Sequence, residues 1–261
     1  MLIDSIVLGI FQGISEFLPI SSSAHLVIIP YIFNWQWQGL VFDVALHFGT
    51  LLAILVFFAN DWRKILRIDK TDGDLPKSFF WMIIAGTIPG ALAGVFLEDL
   101  AATVFRTPIL IAGTLFVFGI IIYLVDRLAK RDFNIKNITY KQALLVGFGQ
   151  MLAIVPGVSR SGATMAVGRL IGLKREAAAR FSFYLAAPIM LGATLFELRH
   201  FSIEMLDLSF FSAFSLSFLF GLLAIKYLLE YLKKGNFAVF AWYRIVLAIV
   251  VLIVYLQRAV T

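Results

Sequence analysis

Residues 12–25, QGISEFLPISSSAH, decide the fold, because they set a carboxylate, three consecutive serines and a histidine inside an otherwise apolar run. Pro19 and the serines interrupt the helix that the preceding residues begin, and apolar sequence flanks the break from residue 2 to residue 33. Each half is too short to cross a hydrocarbon core of about 30 Å, which takes roughly 20 residues. Irregular backbone at that depth is tolerated only where protein or a polar cavity surrounds it, so the segment reads as a re-entrant hairpin. A second region, 142–173, is broken in the same way at IVPGVSRSG, residues 154–162.

The rest of the chain agrees with a membrane setting. Of 261 residues, 61% are hydrophobic and only 15% are charged, with mean hydropathy +0.93. Clean apolar spans are expected at 40–59, 79–97, 108–125, 181–198, 210–229 and 237–256. The expected architecture is therefore all-α and polytopic, with six transmembrane helices and two re-entrant helical hairpins. Residues 2–17 superficially resemble a signal peptide, but they lack a basic start and carry Asp4 and Glu16, so they read as retained. There is no cysteine, which leaves neither disulfides nor thiolate metal sites.

An internal repeat organises these segments. Gly9 and Gln12 recur as Gly147 and Gln150, and Pro19 with its serines recurs as Pro156 with SRSG, at an offset of about 138 residues. Within a residue, the same offset carries Phe42 onto Phe181 and the pair Phe105–Arg106 onto Tyr243–Arg244. One membrane domain, 1–261, would then hold repeat one (about 1–130, hairpin 2–33) and repeat two (about 139–261, hairpin 142–173). Three crossings per repeat make the second enter inverted, so the two breaks should meet near the midplane.

Basic residues orient the chain, since those near span ends stay cytoplasmic. Loops 60–78 and 126–141 carry five Lys and Arg each, and Lys174, Arg175, Arg180, Lys226, Lys233 and Lys234 add to that side. The alternate loops hold only Arg106 or Arg199. This places both termini and the first hairpin outside and the second hairpin inside, in a cell membrane. The net charge of +6 is thus orientation, and no nucleic-acid partner is expected. The composition leaves room for a homo-oligomer.

The polar residues of the breaks suggest anion chemistry. Gln12 and Glu16 share a helix face, while Ser21, Ser22 or Ser23 can cap the helix that His25 enters. Ser159, Arg160, Ser161, Gly162 and Thr164 open the helix after Pro156–Gly157. Two half-helix N-termini and an arginine suit a phosphate group and not a cation. An ionisable Glu16 at this depth is a functional residue by default, whereas capping alone explains at least two of the three serines. Asp43 and His47, four apart, can pair with each other or touch the site, and are left outside the main set. Trp35, Trp37 and Trp62 read as interfacial residues. Arg106 and Arg244 read as snorkelling repeat mates, with Arg244 also able to reach a phosphate.

QGISEFLPISSSAH and PGVSRSGAT, together with FDVALHFGTLLA (42–53), FSFYLAAPIMLGAT (181–194) and WYRIV (242–246), resemble the bacitracin-resistance type of undecaprenyl-diphosphate phosphatase over nearly the whole chain. The resemblance implies a membrane hydrolase that removes the terminal phosphate of a polyprenyl diphosphate, giving the monophosphate carrier of cell-wall polymer synthesis and conferring bacitracin resistance. It implies catalytic roles for Glu16, Ser22, His25 and Arg160, with Ser159, Ser161, Thr164 and Gln12 around the phosphates. Mg²⁺ or Ca²⁺ is the expected cofactor, held through Glu16. Gln12 stands where some relatives have a second glutamate, and Ala24 where relatives have glycine. Either Ser22 attacks phosphorus with Glu16 or His25 as base, or Glu16 activates a water and His25 protonates the leaving oxygen. A transporter or flippase of a phosphorylated polyprenyl lipid is the rival reading, because inverted repeats with broken helices also serve transport.

Overall fold

The computed structural model describes residues 2–66, 75–97, 100, 103–129, 133–200 and 206–260. Residues 67–74 and 130–132, which carry part of the basic loops counted above, lie outside the described residues. Helices α1 (Leu2–Phe17) and α2 (Ser22–Phe33) flank the first break, followed by α3 (Leu40–Phe57), the short α4 (Ala59–Leu66), α5 (Phe79–Phe96) and α6 (Pro108–Leu128). The second broken pair is α7 (Tyr140–Met151) and α8 (Arg160–Leu170), and α9 (Arg175–Glu197), α10 (Leu208–Leu232) and α11 (Ala238–Val260) complete the chain.

Six helices are long and apolar enough to cross a membrane, and they coincide with the six expected spans. The fourth starts earlier than its apolar run, at Arg175 instead of residue 181. REAAAR is built of strong helix formers, and its arginines are paired: Arg175 with Asp126 at 2.8 Å, and Arg180 with Asp61 at 2.7 Å. The halves of the broken segments are 16, 12, 12 and 11 residues long. The longest therefore reaches only about 24 Å, short of a crossing.

With lipid as the surroundings, helix association rests on close packing and internal hydrogen bonds. Glycine makes the closest approaches: a Cβ on Gly9 would collide with the backbone of Ala213 in α10, and one on Gly147 with the backbone of Gly86 in α5. These repeat mates let α1 pack along α10 and α7 along α5. Large side chains such as Leu92, Val95, Val117, Leu195 and Ile253 stay exposed on the outer faces, as lipid contact requires. The interior fills with Phe17, Phe79, Phe181, Phe183 and Tyr184.

One polar junction secures the basic end. Asp126, closing α6, accepts from Arg175 and from the Phe237 backbone N–H at 3.0 Å, with the Arg169 guanidinium 3.2 Å away. A single parallel bridge pairs Phe133 with Leu173, and no sheet forms among the described residues. Trp62, just past the end of α3, packs its ring edge-on against Tyr184. Trp37 lies under Arg106, 4.4 Å from its guanidinium carbon.

Candidate active site

The two breaks, far apart in sequence, are bonded to each other. Ser21 and Ser159, about 138 residues apart, have φ of 74° and 72°, and each caps the helix it precedes. Positive φ at a non-glycine residue is uncommon and costs of order 1–3 kcal/mol, so the surroundings must hold it in place. The Ser21 hydroxyl accepts from Ala24 N–H at 3.4 Å and from Gly157 N–H of the other break at 3.1 Å. Ser161 answers by donating to the Leu18 carbonyl at 3.0 Å. The positive ends of α2 and α8 thus begin at one junction.

Arg244 holds the opposite side of that junction. It is fully buried in α11 and donates to the carbonyls of Pro19, Gly157, Val158 and Leu115. The first three belong to the breaks, where carbonyls freed from helix pairing need donors. Arg244 therefore neither snorkels nor reaches for phosphate, because backbone oxygens take up its fork. Its repeat mate Arg106 does not snorkel freely either, pairing with Asp43 at 2.5 Å.

Glu16, in the last turn of α1, is the hub on the helix-start side and is 5% exposed. Its Oε1 accepts from Arg160 Nη2 at 2.6 Å, and its Oε2 accepts from Ser22 Oγ at 2.5 Å and from Gln12 Nε2 at 3.0 Å. Arg160 also donates to the Ser182 carbonyl at 3.2 Å, which aims the guanidinium from the first turn of α8. Four of the residues singled out in the sequence thus converge: Gln12, Glu16, Ser22 and Arg160.

His25 does not join them through a hydrogen bond. Its Nδ1 lies 2.7 Å from the Ser21 carbonyl and its Nε2 2.7 Å from the Tyr243 hydroxyl, while Phe11 and Tyr243 stack on its two faces. A carbonyl only accepts, so Nδ1 carries the proton and Nε2 accepts from Tyr243. Ser159, Ser161 and Thr164 are likewise engaged internally. Ser159 caps Gly162 N–H and bonds Ser161, and Thr164 bonds the Arg160 carbonyl and Ser182 Oγ, both at 2.7 Å.

A histidine from α3 stands at the hub instead. His47 Nε2 lies 3.4 Å from Glu16 Oε2, with Nδ1 donating to the Asp43 carbonyl at 2.7 Å. That carbonyl takes the Nδ1 proton, which leaves Nε2 as the ring atom turned toward the carboxylate. The Asp43 side chain faces Arg106 and Trp37, and the hydrogen bond between His47 and Asp43 goes to the Asp43 backbone carbonyl. The sequence carried one signal for His47, its place in a polar-containing span. Tyr243 and Arg244 were marked by the repeat and by WYRIV, but nothing in the sequence pointed to the bond to His25 or to the carbonyl clamp.

Among the described residues no group of three or more His, Cys, Asp and Glu gathers as a metal cluster. The hub nevertheless offers hard oxygen donors: the Glu16 carboxylate and Gln12 Oε1, a buried oxygen without a hydrogen-bond partner. That set fits a divalent cation which takes its other ligands from phosphate and water.

Arg160 also lines a largely apolar cavity of about 430 Å³, walled by α5, α9 and the end of α7. Apolar space thus adjoins the charged junction.

Residues 5–250 match the family described as bacitracin resistance protein BacA. Among similar proteins, an undecaprenyl-diphosphatase of Caldicellulosiruptor bescii is 50% identical over 268 residues, covering 98% of each chain. One of Pelotomaculum thermopropionicum is 45% identical over 256 residues, covering 98% of this chain and 97% of that one. One of Methanosphaera stadtmanae is 40% identical over 271 residues, covering 97% of each.

Proposed function

The chain belongs to the bacitracin resistance protein BacA family, and from that premise we propose how it acts on undecaprenyl diphosphate. It is a multi-pass membrane phosphatase that releases the terminal phosphate and leaves the monophosphate carrier lipid, the reaction that supports cell-wall synthesis and bacitracin resistance. The chemistry is carried where the two breaks meet. The observation behind this reading is the single carboxylate of Glu16, bonded at once to Arg160 and Ser22.

Arg160 and the N-termini of α2 and α8 receive the terminal phosphate, neutralising charge that builds up in the transition state. Ser22 Oγ attacks the phosphorus as Glu16 takes its proton, and the bond from phosphorus to the bridging oxygen breaks, freeing the lipid monophosphate. His47 then takes a proton from water as the water attacks the phosphoserine; the bond from phosphorus to Ser22 Oγ breaks, inorganic phosphate leaves, and Glu16 returns its proton to Ser22 Oγ. The 2.5 Å bond from Ser22 to Glu16 favours this route over direct water attack. His25 is a positioning residue that fixes the turn through the Ser21 carbonyl. Mg²⁺ or Ca²⁺ would be held by Glu16 and Gln12 Oε1, adding positive charge for the phosphates. A transporter would use Arg160 and the helix ends but has no need of a serine bonded to a carboxylate.

We read the topology as two inverted repeats with re-entrant hairpins in the cell membrane, termini and first hairpin outside. The matching caps at Ser21 and Ser159, the matching close approaches of Gly9 and Gly147, and the bias of Lys and Arg support it. Phosphate measured from purified protein and undecaprenyl diphosphate tests the activity. Release that Glu16→Ala and Arg160→Ala abolish is expected, and no release by the intact protein would favour transport.

A further inference from the structure

Gln150, at the repeat position of Gln12, lines the same cavity as Arg160. It is 3% exposed, and neither its amide nitrogen nor its amide oxygen has a hydrogen-bond partner. Gln12, by contrast, donates to Glu16. A buried amide with no partner is destabilising in an apolar setting, so its retention calls for a ligand that supplies the missing bonds. Gly90 of α5 makes room for this side chain, since a Cβ there would lie 3.0 Å from Gln150 Nε2 and 3.1 Å from its Cγ.

The cavity is polarised along its length. Arg160 contacts the Met190 sulfur at 3.9 Å, and Glu197 lines the same cavity two turns further along α9. A diphosphate is therefore better placed at the Arg160 end than at the Glu197 end, where His200 Nδ1 lies 3.5 Å from the carboxylate. Apolar walls such as Ile154, Gly192 and Phe196 suit a prenyl chain.

We propose that Gln150 is a substrate-binding residue whose amide N–H₂ donates to the inner, lipid-linked phosphate, while Arg160 and Glu16 handle the terminal one. This rests on the phosphatase reading. The inner phosphate stays on the lipid after hydrolysis, so Gln150 contacts substrate and product alike. Its loss weakens binding and leaves the chemical step intact.

The test uses the full protein in detergent with farnesyl diphosphate as substrate and farnesyl monophosphate as competitor. Gln150→Leu is expected to raise KM roughly ten-fold or more, as for a lost hydrogen bond to a charged group, with kcat within about two-fold. The inhibition constant of the monophosphate should rise by a similar factor. Gln150→Glu, nearly the same in shape, should raise both further by repelling phosphate, and it carries the test if the leucine variant does not fold. Unchanged KM and inhibition constant, or a fall in kcat alone, would overturn the proposal. Should the intact protein release no phosphate, the phosphatase reading fails by itself, and equilibrium binding of farnesyl monophosphate to intact and Gln150→Leu protein still decides the role of Gln150: weaker binding by the variant supports it and equal binding refutes it.

Discussion

Arg160 Nη2 lies 2.6 Å from Oε1 of Glu16, a residue 144 positions earlier in the chain. Neither hairpin contains both groups, so the charge pair exists only where the two breaks are held together. Ser21, Ser161 and Arg244 supply the bonds that hold them.

The guanidinium fork of Arg160 bonds Glu16 and the Ser182 carbonyl and, in the proposed mechanism, also receives the incoming phosphate, a set that an ammonium group cannot match in geometry. Arg160→Lys is therefore expected to lower kcat/KM about 100-fold despite keeping the charge, a cost of about 2.7 kcal/mol. Steady-state phosphate release checks this, and a change below about three-fold would contradict the need for the guanidinium fork.

His47 and His25 should behave differently. His47→Asn removes the group that takes the proton from water and is expected to cut kcat by roughly 100-fold or more, in the range of general acid–base catalysis. Tyr243→Phe deletes the hydroxyl on His25 Nε2 yet keeps the stacked ring, and should lower kcat less than about ten-fold, the size of one neutral hydrogen bond. Equal losses in the two variants would put His25 in the proton chemistry.

Removing Arg244 leaves the carbonyls of both breaks without donors. Arg244→Met should destabilise the protein by about 3 kcal/mol or more, since buried polar groups lose their partners. Thermal unfolding in detergent reads this out. A variant as stable as the parent but inactive would instead assign Arg244 to phosphate binding.

The absence of cysteine makes topology directly testable. A single cysteine at the exposed His200 should react with an impermeant maleimide on intact cells, whereas one at the exposed Lys234 should react only after the membrane is opened. Labelling of both from outside would refute the orientation read from Lys and Arg.

Much of this was legible in the sequence, and the illegible part has a physical reason. The six spans follow from unbroken apolar length, and the two breaks follow from Pro19 and Pro156 beside serines, both local properties. Glu16 and Arg160 stood out because an ionisable group at that depth is costly without a purpose. Ser159, Ser161 and Thr164 looked equally suited to phosphate, but capping and inter-hairpin bonds use the same hydroxyl chemistry, and only the packing separates the two uses. His47 was masked by Asp43 four residues earlier. Helical spacing suggested that the two side chains pair, whereas the imidazole bonds the Asp43 carbonyl and turns to Glu16 across the α1–α3 contact. Arg244 sits near the start of a span, where snorkelling is the ordinary outcome, and its burial depends on carbonyls contributed by three distant segments.

The central claim is that the two hairpins form one catalytic unit, and the most direct measurement is phosphate release by Glu16→Gln, Arg160→Gln and the double variant. Residues acting as a unit are strongly non-additive. Each single variant is expected to lose about 1,000-fold in kcat/KM, or about 4 kcal/mol, and the double variant about as much as the worse single one. A double loss equal to the product of the two single losses, or a single variant with parental activity, would contradict the account.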